Sequence, residues 1–248
     1  MIAIDHLNYH YPDGTAALNG VSLRVADGEF VLICGANGSG KTTLIRHLNA
    51  ILTPTSGTVR VNGLLATDHP IQVRRQVGML FQDVDSQLIG ETVREDVAFG
   101  PENLGLTGAE LTLRVDWALT AMGLAHLADK PCYQLSGGEK RRVAIAGVLA
   151  VQPHTLIFDE PFSNLDYRGV QDTLRQLITL HRAGHTVIVT SHDVEKVIAQ
   201  VDRVILMDRG ELAAAGAPAA VLPLLDRHGV RPPCAYLAGI EAQPWFSA

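Results

Sequence analysis

The sequence predicts an α/β protein built on a mostly parallel sheet, and three observations carry that expectation. A glycine-rich segment, Gly35-Ala36-Asn37-Gly38-Ser39-Gly40-Lys41-Thr42, stands between the apolar run Phe30-Val31-Leu32-Ile33-Cys34 and the helical stretch opening at Thr43-Leu44-Ile45. Further short apolar runs, Thr155-Leu156-Ile157-Phe158, Val187-Ile188-Val189-Thr190 and Val204-Ile205-Leu206-Met207, alternate with helical stretches. Two of these runs end in polar pairs, Asp159-Glu160 and Ser191-His192, at the strand ends where an open α/β sheet gathers its ligand.

Along the chain, Ile2-Ala3-Ile4-Asp5-His6-Leu7 and Val21-Ser22-Leu23-Arg24-Val25 alternate as half-buried antiparallel strands do, with the turn signal Tyr11-Pro12-Asp13-Gly14 between them. Thr58-Val59-Arg60-Val61 and Val77-Gly78-Met79-Leu80-Phe81 read as two further strands, and Gln82 follows directly. From about residue 87 to 151 the periodicity turns helical. Residues 109–122 place Leu111, Val115, Ala118, Leu119 and Met122 at helical spacing, and 143–149 is a second apolar helix segment. This block reads as a helical lobe inserted into the α/β core. Residues 165–182 read as a helix closed by Gly184, and Asp208-Arg209-Gly210-Glu211 as a turn behind the last core strand. The tail after Gly216 is rich in Ala and Pro, with a helix near 218–225 and the aromatic end Trp245-Phe246. There is no internal repeat.

Composition narrows the function. The 248 residues are 47% hydrophobic, enough for a sizeable core, and the formal net charge is −6. That balance opposes a general nucleic-acid binder, which needs a basic face. Lys140-Arg141-Arg142 is the densest basic cluster and reads as a solvated helix face. Cys34, Cys132 and Cys234 have neither zinc nor disulfide spacing, which suggests a reducing compartment, and Cys34 reads as a small buried residue. His181 and His185 are four apart, but Gly184 interrupts the helix a metal pair would need. No signal-peptide pattern opens the chain and no apolar run approaches a membrane span, so the expectation is a soluble protein that meets a membrane only through a partner.

The glycine segment fits G-x-x-x-x-G-K-[ST], the phosphate-binding loop. Its glycines let successive backbone N–H groups curl around phosphate oxygens, and the helix N-terminus behind adds positive dipole. Lys41 can reach the β- and γ-phosphates and the Thr42 hydroxyl can ligate Mg²⁺. Asp159 would hold the same ion, while Glu160 would polarise an attacking water. Leu135-Ser136-Gly137-Gly138-Glu139 combines a hydroxyl, two glycines and a helix start, an anion site without a lysine. Two phosphate sites on one chain suggest two chains sandwiching the nucleotide.

Taken with Gln82, Ser163-Asn164-Leu165-Asp166 and His192, in this order and rough spacing, these segments make residues 1–215 similar to ATP-binding cassette (ABC) ATPases. The resemblance implies a P-loop NTPase (RecA-like) core, about 1–86 and 152–215, with an antiparallel β subdomain, an inserted α-helical subdomain at about 87–151, and a tail at 216–248. It implies ATP and Mg²⁺ as ligands, held by Gly35, Asn37, Gly38, Ser39, Gly40, Lys41, Thr42 and Thr43. Tyr11, by itself an ordinary turn tyrosine, looks like the adenine-stacking aromatic. Gln82 resembles the sensor of Mg²⁺ and water, and His192 the γ-phosphate switch. Ser136, Gly137 and Gly138 resemble the segment that meets the partner subunit's ATP, with Ser136 and Gly138 as the γ-phosphate contacts; Asp166 resembles the residue coupling the two sites. Glu139 stands where Gln is commoner, Phe162 where Thr is frequent, and Asn164 where Gly is frequent.

Phe81-Gln82-Asp83-Val84-Asp85-Ser86-Gln87-Leu88-Ile89 and Glu95-Asp96-Val97-Ala98-Phe99-Gly100-Pro101 are similar to the ATPases of energy-coupling-factor (ECF) importers, which take up vitamins or cobalt and nickel ions, although that group favours Asn-Pro where this chain has Asp83-Val84. Lys140-Arg141-Arg142-Val143-Ala144-Ile145-Ala146 fits the same group. The implied partners are a second ABC ATPase subunit, identical or paralogous, a transmembrane coupling protein with arginines on its cytoplasmic helices, and a substrate-binding membrane component, on the cytoplasmic face of the membrane. Residues 83–95 carry Asp83, Asp85, Glu91 and Glu95 against Arg94, an acidic groove suited to those arginines. Two other readings stay open: an ATPase for a different importer or exporter, and a non-transport ABC ATPase acting on nucleic acid or ribosomes. The single cassette, with no long coiled-coil insertion and no basic arm, opposes the second.

Overall fold

The first strands alternate in burial, and that alternation decides which sheet they join. In the computed structural model, which describes residues 1–240 and Trp245, β1 (Ile2–His10) buries Ile2, Ile4 and Leu7 and pairs antiparallel with β2 (Ala16–Val25). The turn between them closes through Gly14 N–H donating to the Tyr11 carbonyl at 2.9 Å. β4 (Ser56–Val61) pairs with the other edge of β1, and the two-residue β5 (Leu64–Leu65) completes a four-stranded antiparallel sheet in the order β2-β1-β4-β5.

The runs with no polar alternation go elsewhere. β3 (Phe30–Cys34), β7 (Thr155–Asp159) and β8 (Thr186–Ser191) are buried at every position, as strands covered on both faces must be. With β6 (Val77–Leu80), β9 (Arg203–Asp208) and β10 (Glu211–Gly216) they form a second sheet in the order β10-β9-β3-β8-β7-β6, parallel except for the β9–β10 hairpin. Side chains sort by parity. Phe30, Leu32 and Cys34 join one buried cluster, and Val31 and Ile33 join the other. The Val31 side packs on α1 (Lys41–Leu48) and the antiparallel sheet; the Phe30 side packs on α6 (Tyr167–Arg182) and on three helices that lie in sequence between β6 and β7.

Those helices are α3 (Val93–Asn103), α4 (Gly108–Ala121) and α5 (Gly137–Ala150). α4 turns Val115, Ala118 and Leu119 inward, the face its spacing predicts. α3 opens on a capping box in which Thr92 and Glu95 satisfy each other's backbone N–H groups. Segment 83–92 ahead of it is irregular rather than helical, so helix begins later than the periodicity suggested. Among the elements that escape sequence reading are β5, α2 (Pro70–Gln76) and β10. The turn at 208–211 is followed by β10, so Val204-Ile205-Leu206-Met207 is not in the last strand of the sheet. In the tail, α7 (Pro218–Val221) runs into a short 3₁₀ turn, Leu222–Leu224, and α8 (Cys234–Leu237) follows; Phe246 lies outside the described residues. Among the described residues, no helix is long and apolar enough to cross a membrane.

His181 and His185 do not converge: His181 Nε2 meets the Gly28 carbonyl and His185 Nδ1 that of Pro153. Cys34 is fully buried, and burial pushes its thiol up to about 12. The basic cluster 140–142 is not a uniformly solvated face. Arg141 is 9% exposed, because positions 141, 145 and 149 share one side of α5 and that side packs inward with Ile145 and Leu149.

Candidate active site

Parallel strands bring their carboxyl ends to one edge, and the candidate residues collect there. Asp159 at the end of β7 pairs in register with Thr190 of β8, and Cys34 of β3 with Ser191. The glycine loop leaves β3 beneath them. Gly35 is required by packing: a Cβ there would lie 2.4 Å from the Met207 carbonyl oxygen and 2.4 Å from Ser39 Oγ. Gly40, the N-cap of α1, adopts φ of 100°, and a Cβ on it would lie 2.9 Å from the Ala17 carbonyl oxygen.

Lys41 is 6% exposed and donates from Nζ to the carbonyls of Gly35 at 2.9 Å and Ala36 at 3.1 Å, with Glu160 Oε1 at 3.9 Å. Burial pulls its ammonium below the ordinary lysine range, while Glu160 and Asp159 work against that shift. Loop carbonyls are weak counter-charges for a buried ammonium, so an incoming phosphate is a better partner for Lys41.

Behind the loop, Thr42 Oγ1 donates to Asp159 Oδ1 at 3.2 Å. The same carboxylate oxygen accepts from Thr190 Oγ1 at 2.6 Å, and the Thr190 hydroxyl accepts from the Glu160 N–H at 2.9 Å. Thr190, fully buried, thus fixes both acidic residues; sequence reading passed over it because a threonine within a β-branched run looks structural. Glu160 takes φ of 46°, a left-handed conformation a non-glycine residue holds only when its surroundings impose it. Its carboxylate accepts from the His192 N–H through Oε1 at 3.1 Å and meets His192 Nδ1 through Oε2 at 3.0 Å. An ionised carboxylate only accepts, so Nδ1 carries the proton and His192 is left with Nε2 as its free ring atom.

Tyr11, Asn37, Gly38, Ser39, Gly40, Lys41, Thr42, Thr43, Gln82, Glu160 and His192 line one cleft of about 450 Å³, with Thr15, Ala16 and Ala17. The Tyr11 hydroxyl bonds Thr43 Oγ1 at 2.9 Å, which holds its ring at the mouth of the cleft, edge-on to Tyr9. Ser136, Gly137, Gly138 and Asp166 do not line this cleft. Ser136 caps α5, and its hydroxyl donates to Glu139 Oε2 at 2.8 Å. Asp166 caps α6 by accepting from the Gly169 N–H at 2.7 Å, after Asn164, whose φ of 59° explains a position where Gly is frequent.

The adjacent oxygens of Thr42 and Asp159 are a hard donor set suited to Mg²⁺. No cluster of three His, Cys, Asp or Glu that could hold an ion exists among the described residues, so Mg²⁺ would complete its shell with phosphate and water. The residues fit the ion on those terms.

The acidic segment 83–95 is largely occupied internally. Asp85 pairs with Lys140, Asp83 accepts from the Asp85 N–H, and Glu95 closes the α3 capping box. Neighbouring Asp96 is buried and accepts from Ile89 and Gly90 N–H. Of the four carboxylates expected to face a basic partner, Glu91 alone has no such role among these contacts; all four stay exposed, and Asp85 and Glu91 line a groove of about 640 Å³ whose wall also carries Lys140, so the groove is present but not uniformly acidic.

A glycine loop on a helix start, a buried lysine and two strand-end carboxylates define a nucleoside-triphosphate-hydrolysing cassette. The family model described as ABC transporter matches residues 18–163, and the chain belongs to that family. The chain is 47% identical over 240 residues to a cobalt import ATP-binding protein, CbiO, of Rhodobacter capsulatus, covering 94% of this chain and 85% of that protein. It is 44% identical over 239 residues to an energy-coupling factor transporter ATP-binding protein, EcfA, of Methanothermobacter thermautotrophicus, covering 94% and 77%. Among solved structures, cbiO1 of Clostridium perfringens, described as part of the ABC transporter complex cbiONQ, superposes with a TM-score of 0.82 at 38% identity over 96% of this chain and 98% of that one.

Proposed function

We propose that this chain is the ATP-hydrolysing subunit of an energy-coupling-factor type importer, working as a closing dimer at the cytoplasmic face of a membrane. The observation that carries the reading is the convergence of Lys41, Glu160 and His192 on one cleft, with Asp159 hydrogen-bonded to Thr42 of its wall. Similarity to a cobalt import CbiO and an energy-coupling factor EcfA supports the importer class; the solute is a vitamin or a cobalt or nickel ion, of which the relatives' names favour cobalt. The solute does not enter this cleft.

In the cycle, Tyr11 stacks on the adenine and the loop N–H groups of 37–43 hold the phosphates. Lys41 leaves the loop carbonyls for the β- and γ-phosphates. Thr42, Asp159 and Gln82 would hold Mg²⁺, which when bound neutralises charge on the phosphate oxygens. Glu160 accepts the proton of a water whose oxygen attacks the γ-phosphorus, and the bond to the ADP oxygen breaks as that P–O bond forms. His192 orients the Glu160 carboxylate and reaches the γ-phosphate with its free edge. Ser136, Gly137 and Gly138 serve the partner's nucleotide, since they stand off their own cleft, and Asp166 couples the two sites. The block 87–151 acts as a lobe on the core of 1–86 and 152–215, and carries closure to a transmembrane coupling protein and its substrate-binding component.

The test is purification with the membrane partners. ATP hydrolysis should co-purify with a membrane complex, and Lys41→Ala should lower it by about three orders of magnitude or more through loss of a charge-assisted phosphate contact. Wild-type turnover in the assembled Lys41→Ala complex would refute the loop's role. A chain that hydrolyses ATP but captures no membrane protein would leave a non-transport ATPase as the better reading.

A further inference from the structure

Beside the nucleotide cleft, and sharing Thr42 and Gln82 with it, lies a second cavity of about 800 Å³. Its wall carries Arg46, Lys140 and Arg141 against Asp83, Asp85 and Asp159. Arg141 is the anomaly. It is 9% exposed, its Nη1 is buried with no hydrogen-bond partner, and no carboxylate of the described residues stands within ion-pair distance of it. Lys140, its neighbour, is already matched by Asp85. Burial alone pulls the Arg141 guanidinium below the usual arginine range, with no acidic group opposing the shift. A buried, unmatched guanidinium is costly, and it persists where an anion completes it for part of the working cycle.

The anion is suggested by position. The cavity shares Thr42 and Gln82 with the nucleotide cleft, Thr42 and Asp159 are the residues that would hold Mg²⁺ beside the phosphates, and Arg46 supplies a second positive group not paired with a carboxylate among the described residues. We propose that this cavity receives the inorganic phosphate product, with Arg141 as its counter-charge, before the phosphate leaves the protein. The inference rests on the ATPase reading above. It separates the departing phosphate from ADP, which the loop retains, and so opposes their recombination.

The test uses the full chain loaded with ADP and Mg²⁺, with inorganic phosphate exchanged for chloride at constant ionic strength. Phosphate at ten times its Kd should raise the wild-type melting temperature by about 3 °C. Arg141→Met should show no phosphate-dependent rise, and its phosphate-free melting temperature should equal or exceed that of the wild type, because an unmatched buried charge is gone. If Arg141→Met fails to fold, Arg141→Gln provides the same comparison. In steady-state hydrolysis, the inhibition constant for phosphate should rise at least tenfold in the variant. An equal phosphate-dependent rise in wild type and variant would place phosphate beside ADP on the loop and overturn the proposal, as would no response in either or an unchanged inhibition constant. Absence of hydrolysis in the wild-type complex would instead defeat the ATPase reading, and the melting experiment is independent of turnover.

Discussion

Thr190 shows how much of the site depends on one side chain that touches no phosphate. Its hydroxyl donates to Asp159 and accepts from the Glu160 backbone, so it sets the spacing of the two acidic residues and helps hold Glu160 in its left-handed conformation. Thr190→Val keeps the shape and removes both bonds. Leaving a buried carboxylate oxygen and a buried N–H short of a partner should cost about 1–3 kcal/mol of stability. Chemical denaturation measures that cost, and kcat should fall more than the KM for ATP rises, because the loop that binds phosphate is untouched. A variant with wild-type kcat would show that Asp159 and Glu160 hold their places without the Thr190 hydroxyl. The residues of the glycine loop were legible in sequence because few other patterns place Gly, Lys and Thr so; Thr190 was not, since its type and setting match any buried strand.

At the scale of elements, α5 carries the chief departure from expectation. Its start is a closed capping box: Glu139 accepts from both the N–H and the hydroxyl of Ser136, and these bonds hold its carboxyl below the usual carboxylate range. The acid that stabilises the helix start also places a negative charge where an incoming phosphate is proposed to dock, and occupies the hydroxyl meant to meet it. Glu139→Gln keeps an acceptor for the Ser136 N–H and removes the charge. The KM for ATP in the assembled complex should fall several-fold, while the melting temperature drops by a few degrees at most, since a charge at an exposed helix start contributes about 0.3–1 kcal/mol. A raised KM would mean the carboxylate assists docking. The same helix explains a legible signal left unread: Arg141, Ile145 and Leu149 lie four apart, so helical spacing already put the arginine on the apolar side. β10 was lost for the opposite reason. Leu212-Ala213-Ala214-Ala215 has helix-favouring composition, and only pairing with β9 makes it a strand. The apolar runs of β3, β7 and β8 needed no such context, because strands buried on both faces announce themselves by composition.

At the scale of the whole molecule, the site is divided between what one chain supplies and what it lacks. The cleft holds the loop, the base and the histidine on one rigid sheet edge, yet Ser136, Gly137 and Gly138 stand away from it on α5. On the proposed roles, the chain carries two phosphate-binding surfaces, only one of them facing its own cleft, and is completed by a second chain, each member closing the other's nucleotide. Glu160→Gln isolates that step. Gln keeps the size of the side chain and can still accept from the His192 N–H, but it cannot take a proton from water. ATP then binds and is not consumed, so the closed state has no route to reopening through hydrolysis. With Mg²⁺ and ATP, Glu160→Gln should sediment as a dimer at concentrations where the wild type is monomeric, and should return to monomer when ATP is replaced by ADP. Adding Ser136→Arg, which puts bulk and a second charge at the docking surface, should prevent the dimer while ATP binding persists. A Glu160→Gln chain that binds ATP and stays monomeric at high protein concentration would mean that the cleft is closed by something other than a second copy, and a paralogous subunit would be the surface to test next.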